Sequence, residues 1–112
     1  MPGQENIALT EGVYYILLAL TQPLHGYGIM QRVEEMSGGR LRMAAGTLYG
    51  ALNSLCEKGW IVALPGEGSR GKKQYRLTAE GLRAAQAELR RLQELAANGE
   101  RVLRGTEQEG QA

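Results

Sequence analysis

Aspartate is absent from this chain of 112 residues, so all twelve acidic side chains are glutamates, and histidine and cysteine occur once each. These shortages exclude whole classes of chemistry. A nucleophilic triad needs a histidine held by a carboxylate, and a metal centre needs several His, Cys or carboxylate ligands close together. A single cysteine cannot close an internal disulfide, so the chain is no disulfide scaffold. Long apolar runs are missing too. Ile16–Leu20 is a purely apolar run of only five residues, where a bilayer span needs about 20. No positively charged stretch precedes an apolar one near the N-terminus, which leads us to expect no secretory signal and a cytoplasmic protein. What remains is an ordinary globular balance, 43% hydrophobic and 22% charged, of a length that suits one domain.

The formal net charge of +1 hides an uneven distribution. Residues 1–35 carry net −3, residues 36–77 net +5, residues 78–91 net +1 and residues 92–112 net −2. A nearly neutral chain can therefore present a basic face to an anionic partner. Charge alone does not separate that reading from a solvated surface.

Hydrophobic spacing divides the chain into six structured elements and a final arm. Leu9, Val13, Ile16, Leu17 and Leu20 recur every three or four residues and predict a helix, with Thr10 as N-cap and Pro23 beyond its end. A second helix is expected over about Gly26–Met36, with Tyr27, Met30, Val33 and Met36 on one side and Gly38-Gly39 as its stop. Arg40-Leu41-Arg42-Met43 alternates basic and apolar, which predicts a very short strand. A third helix over about Ala45–Lys58 places Leu48, Leu52 and Leu55 in one inward stripe and leaves Tyr49 and Asn53 on another face. Trp60–Leu64 and Lys72–Leu77 read as two strands around a glycine-rich turn with a basic tip. Thr78 caps a last helix whose Leu82, Ala85, Leu89, Leu92, Ala96 and Leu103 follow the seam of a helix pair. We expect a flexible N-terminus over 1–8, a winged helix-turn-helix domain over 9–77, a terminal helix over 78–104, and a disordered tail over 105–112. The fold class is thus α+β and mainly helical.

Several local motifs carry little. Gly66–Lys73 nearly spells a phosphate-binding loop, but Lys73 stands where Ser or Thr would hold Mg²⁺, and a strand follows instead of a helix. His25 has no ligating partner nearby and reads as a helix-end contact. Cys56 sits beside the inward stripe as a buried thiol, and Met30, Met36 and Met43 read as packing. No cofactor is expected.

Three separated motifs, however, occur together. His25-Gly26-Tyr27, then Gly46-Thr47-Leu48-Tyr49 with Leu52, Leu55 and Gly59-Trp60-Ile61, and finally Lys73–Gly81 (KQYRLTAEG) resemble the PadR family of bacterial transcriptional regulators over about residues 9–92. The resemblance implies a winged-helix DNA-binding domain, a homodimer formed through the C-terminal helix, and repression released by a small-molecule effector. The single final helix resembles the short-tailed branch of the family. Two features depart from the pattern. Ala44-Ala45 stand where Ser or Asn followed by Pro usually precede the Gly-Thr-Leu-Tyr motif, and the final helix has no Trp of the kind that forms an aromatic ligand slot in some relatives.

A helix in the major groove reads bases with its N-terminal residues. On that geometry the candidates on the third helix are Thr47, Tyr49, Gly50 and Asn53. Asn53 offers a donor–acceptor pair suited to adenine, Tyr49 a phosphate donor, and Gly46 and Gly50 a close backbone approach. Ser69, Arg70, Lys72 and Lys73 on the wing suit phosphate contacts that fix register, and Arg40 and Arg42 flank the same backbone. Leu82, Ala85, Leu89, Leu92 and Ala96 form the expected dimerisation stripe. The expected partners are double-stranded DNA, a second copy and a small effector, with no membrane. The rival reading is a winged-helix protein-interaction module that does not bind DNA. A small hydrolase or NTPase lacks its parts.

Overall fold

The computed structural model describes residues 8–65 and 73–111, with side chains through 107. The element order is α1 (Glu11–Ala19), β1 (Leu24–His25), α2 (Gly26–Met36), α3 (Ala45–Glu57), β2 (Ile61–Leu64), β3 (Gln74–Leu77) and α4 (Ala79–Gln111). The flexible N-terminus expected over residues 1–8 lies, apart from Ala8, outside the described residues.

The helices begin and end where local chemistry dictates. Thr10 caps α1 by accepting a bond from the Val13 N–H at 3.2 Å. Gly38, Gly39 and Gly59 take φ of 65°, 82° and 78° and end α2 and α3 as expected, because only glycine enters that region without a Cβ penalty. The core is one cluster drawn from every layer. Ile16, Leu17 and Leu20 meet Ile29 and Val33 of α2, Leu48, Leu52 and Leu55 of α3, Ile61, Tyr75 and Ala85.

The sheet corrects one expectation. Arg40–Met43 is not a strand. The third strand is Leu24–His25, and the antiparallel order is β1-β3-β2. β3 pairs on one edge with β1 (Leu24 with Tyr75, His25 with Gln74) and on the other with β2 (Ile61 with Leu77, Leu64 with Gln74). The alternation in Arg40–Met43 is real but has another cause. Leu41 and Met43 pack against the core, and Arg40 and Arg42 turn outward to glutamates. The backbone there is held by Ser37, whose Oγ accepts from the Leu41 N–H at 3.0 Å.

A second correction concerns α2. Its buried side is Gly26, Ile29 and Val33, whereas Tyr27, expected on one side with Val33, is 63% exposed. Ile29 and Val33, four apart, define the true inward stripe. A third concerns α4, which continues through Gly105 to Gln111, where a disordered tail was expected. Its 33 residues span about 50 Å, and the molecule measures 69 × 36 × 21 Å. Isolated glycines cost a helix only about 1 kcal/mol each. The surrounding run of Ala, Glu, Arg, Leu and Gln forms helix readily enough to carry α4 across Gly99 and Gly105.

The first turns of α4 are fixed to the body at two points. A Cβ at Gly81 would collide with the Trp60 carbonyl oxygen and come within 2.8 Å of Leu77 Cδ1. Thr78 completes the junction by donating its Oγ1–H to Gly59 O at 2.7 Å and accepting from the Gly81 N–H at 3.1 Å. One helical turn beyond Ala85, Glu88 is 4% exposed. Its carboxylate accepts two bonds from Arg91, at 2.9 and 2.6 Å, and one from the Leu9 N–H at 3.4 Å. Arg91 holds the Glu88 carboxyl below the ordinary range, against the opposing effect of burial.

Three substitutions in α4 test this packing. Gly81→Ala is expected to destabilise the fold by about 1–3 kcal/mol despite alanine's better helix propensity, because the backbone contact cannot yield. Gly99→Ala, whose Cβ meets nothing within 4 Å, should stabilise by roughly 0.5–1 kcal/mol. Urea unfolding measures both. Glu88→Gln should lower the melting temperature at neutral pH. The folded carboxyl is depressed, so its stabilisation is present above the unfolded value of about 4.3 and is lost as pH falls through the lower folded value. The gap between wild type and variant should therefore close on acidification, which thermal scans from pH 7 to pH 3 measure.

Candidate nucleic-acid interface

Leu48, Leu52 and Leu55 bury one side of α3, and this fixes the opposite side outward. Gly46, Thr47, Gly50, Asn53 and Ser54 are all exposed there. Two of them are unusual choices for a helix. A Cβ on Gly46 or Gly50 would meet nothing within 4 Å, and glycine at an interior position such as Gly50 costs about 1 kcal/mol relative to alanine. Nothing among the described residues requires either glycine. The result is a flat strip of exposed backbone flanked by the Thr47 hydroxyl and the Asn53 amide. Ser54 belongs to this face and was not singled out from the sequence. The signal was present, since residue 54 lies eight positions after Gly46 and four after Gly50, on the same side of a 3.6-residue helix.

The N-terminus of α3 opens onto the same strip. Ala44 occupies the N-cap position with extended backbone (φ −71°, ψ 149°) and supplies no side-chain cap. The absence of Ser or Asn seen in the sequence thus leaves the amides of Ala45, Gly46 and Thr47 without a side-chain acceptor. Such a terminus attracts anions.

Tyr49 borders the strip and has two roles at once. It is 45% exposed, yet its hydroxyl end abuts Gly26, where an added Cβ would collide with it. The phenol also lies close enough to Tyr75 to add to the rise in Tyr75's pKa that burial chiefly causes. Tyr49 therefore ties α3 to the start of α2 and to β3 while presenting a ring edge to solvent. Tyr27 stands in the first turn of α2, exposed. The sequence spacing placed it on one side with Val33, and the buried side of α2 instead runs through Ile29 and Val33.

The other candidates divide. Lys73 is exposed beside β3, whereas Ser69, Arg70 and Lys72 of the wing tip lie outside the described residues. Arg40 and Arg42 precede α3 as expected, but each is engaged. Arg40 makes a two-point contact with Glu11, and Arg42 Nε lies 3.2 Å from Glu34 Oε2.

The helix-pair stripe divides as well. Leu82, Leu89, Leu92 and Ala96 are exposed, but Ala85 is buried in the core of the single chain, because α4 packs that side on α1. Leu95, Val102 and Leu103 extend the exposed apolar face toward the C-terminus. Among the described residues no helix is long and apolar enough to cross a membrane, and no three His, Cys or carboxylate side chains gather as metal ligands.

Comparison with known proteins agrees with this geometry. Residues 15–88 match the model of the "Transcriptional regulator PadR-like family". A PadR family transcriptional regulator from Eggerthella lenta superposes with a TM-score of 0.70 at 25% identity, covering 81% of this chain and 80% of that one. A PadR family regulator from Clostridium difficile has the same fold, with a TM-score of 0.73 at 23% identity over 84% of this chain and 99% of that one. Bacillus subtilis PadR, solved in complex with operator DNA, matches at TM-score 0.60 and 28% identity over 69% of this chain but only 45% of its own longer chain. The search of curated proteins finds no match. The resemblance carried by the three sequence motifs and the small antiparallel sheet beside α3 thus have one explanation: the chain belongs to the PadR-like family, whose members are winged-helix transcriptional regulators rather than enzymes.

Proposed function

We propose that the chain is a sequence-specific regulator that binds double-stranded DNA as a homodimer, with α3 in the major groove, and that it represses transcription until a small ligand releases it. The observation that carries the reading is the outer face of α3. Two glycines that nothing among the described residues requires, Gly46 and Gly50, share the face with Thr47 and Asn53, at the depth where a helix meets base edges. Thr47 and Asn53 read bases, Tyr49 and the uncapped amides before it hold phosphate, and Lys73 with the wing contacts the flanking backbone. The DNA complex of Bacillus subtilis PadR supports this assignment for the family's fold.

The second copy follows from α4. An apolar face running from Leu82 to Leu103 stays exposed on the single chain, and faces of this kind mark interaction sites. Pairing two such helices about a twofold covers it and sets two α3 helices about one DNA turn apart, roughly 34 Å. An open groove of about 400 Å³, lined by Leu20, Pro23, Leu77 and Leu82 together with Arg76 and Thr78, lies beside the first turn of α4. A ligand seated there would change the angle of α4 and so the spacing of the reading helices, the kind of two-state shift that couples ligand to DNA.

Fluorescence anisotropy with duplex fragments from upstream of the chain's own gene tests the reading. Affinity should fall linearly on a log–log plot against salt. Asn53→Ala should relax preference at particular bases by about 1–3 kcal/mol, while Lys72→Ala with Lys73→Ala should weaken all sequences alike. Gly50→Ala should raise thermal stability and weaken operator binding together. Indifference to every duplex at low salt, with salt-sensitive capture of a protein instead, would favour an interaction module and overturn the proposal.

A further inference from the structure

We propose that Glu11 and Glu34 act as built-in competitors for the DNA phosphates that Arg40 and Arg42 would otherwise engage, so that the chain carries a sequence-independent brake on its own DNA affinity. This rests on the DNA-binding reading above. The two arginines lie in the linker between α2 and α3, Arg42 three and Arg40 five residues before α3 begins at Ala45. Their carboxylate partners come from two different helices, Glu11 from the first turn of α1 and Glu34 from α2. Arg40 holds both oxygens of Glu11 through Nη1 and Nη2, with Nη1 to Oε1 at 3.2 Å. This is the fork geometry with which a guanidinium also grips a phosphate.

Three features make these pairs exchangeable. All four side chains are between 44% and 77% exposed, so water already screens them and neither pair is locked by burial. The linker backbone is independently held, by the Ser37 hydroxyl on the Leu41 N–H at 3.0 Å and by Leu41 and Met43 in the core. Breaking the pairs therefore requires only side-chain rotation and leaves α3 in place. Finally, the contact is a two-point one in the free chain. Arg40 holds the Glu11 carboxyl below its usual range, and Glu11, with Tyr15 adding, pushes the Arg40 guanidinium up.

A phosphate that recruits Arg40 must thus displace Glu11 and leave that carboxylate beside the DNA. The loss is the same for every sequence, because phosphates carry no sequence information. The positive charge concentrated in residues 36–77 is in this way partly cancelled at the edge of α3 until duplex DNA arrives.

The test is a salt series of duplex-binding isotherms for wild type, Glu11→Gln, Glu34→Gln, Arg40→Ala and the Glu11→Gln/Arg40→Ala double variant, each confirmed folded by circular dichroism. On one operator and one scrambled duplex, each Gln variant should bind roughly two- to fivefold more tightly. Its log–log salt slope should steepen by up to about 0.9 for the freed arginine. The gain from Glu11→Gln should shrink when Arg40 is already alanine. Wild type that binds DNA, with Gln variants unchanged or with an equal gain in both Arg40 backgrounds, overturns the brake and leaves the DNA reading standing. Wild type and Gln variants alike indifferent to both duplexes at low salt overturn both.

Discussion

The packing of the first turns of α4 against α1 and the α3–β2 junction is the constraint on which the rest of the structure depends. Gly81 lets the helix backbone touch the Trp60 carbonyl, Ala85 enters the core, and Glu88 reaches the Leu9 amide. These contacts occupy one side of α4 over about three turns and then stop. Beyond them the helix runs on with its apolar face uncovered, so the same contacts that complete the single-chain core also aim an unfilled face in one fixed direction. A shift of the junction would move that face relative to α3, and with it any arrangement of two chains.

α3 is built on a complementary division. One side of α3 is aliphatic and fully buried, and the other is almost bare, with two glycines where a stable isolated helix would place alanine. Stability is given up at Gly50 and at the uncapped Ala44 on the surface proposed to meet DNA, while the core beneath is continuous from Ile16 to Tyr75. The ion pairs at Arg40 and Arg42 fit the same division. They sit at the rim of the proposed contact, exposed and exchangeable, while the linker that carries them is anchored by Ser37, Leu41 and Met43.

Much of this was legible in the residues. Thr10, Gly38-Gly39 and Gly59 marked helix ends through their own backbone chemistry, and Leu48, Leu52 and Leu55 marked the buried side of α3 because a leucine stripe at helical spacing has few other uses. The misplacements share a cause, which is that local pattern does not reveal what lies opposite. Arg40–Met43 alternates like a strand, but its outward partners are Glu11 and Glu34, and nothing local shows them. Leu24-His25 is too short to announce a strand and becomes one only because β3 has a free edge beside it. Tyr27 groups with Val33 by spacing until Ile29 and Val33 fix the phase of α2. Ala85 matches the seam of a helix pair, but its neighbours Gly81 and Glu88 turn it toward α1. The length of α4 was underestimated because its glycines were weighed as stops in a helix otherwise rich in strong formers.

On the proposed homodimer, α4 leaves the single chain incomplete until a second copy closes it. Sedimentation equilibrium across the micromolar range tests this directly. The account predicts a mass of twice 12.2 kDa, falling toward the single-chain value when Leu92 and Leu103 are both replaced by glutamate. A wild-type mass of one chain throughout that range would contradict it.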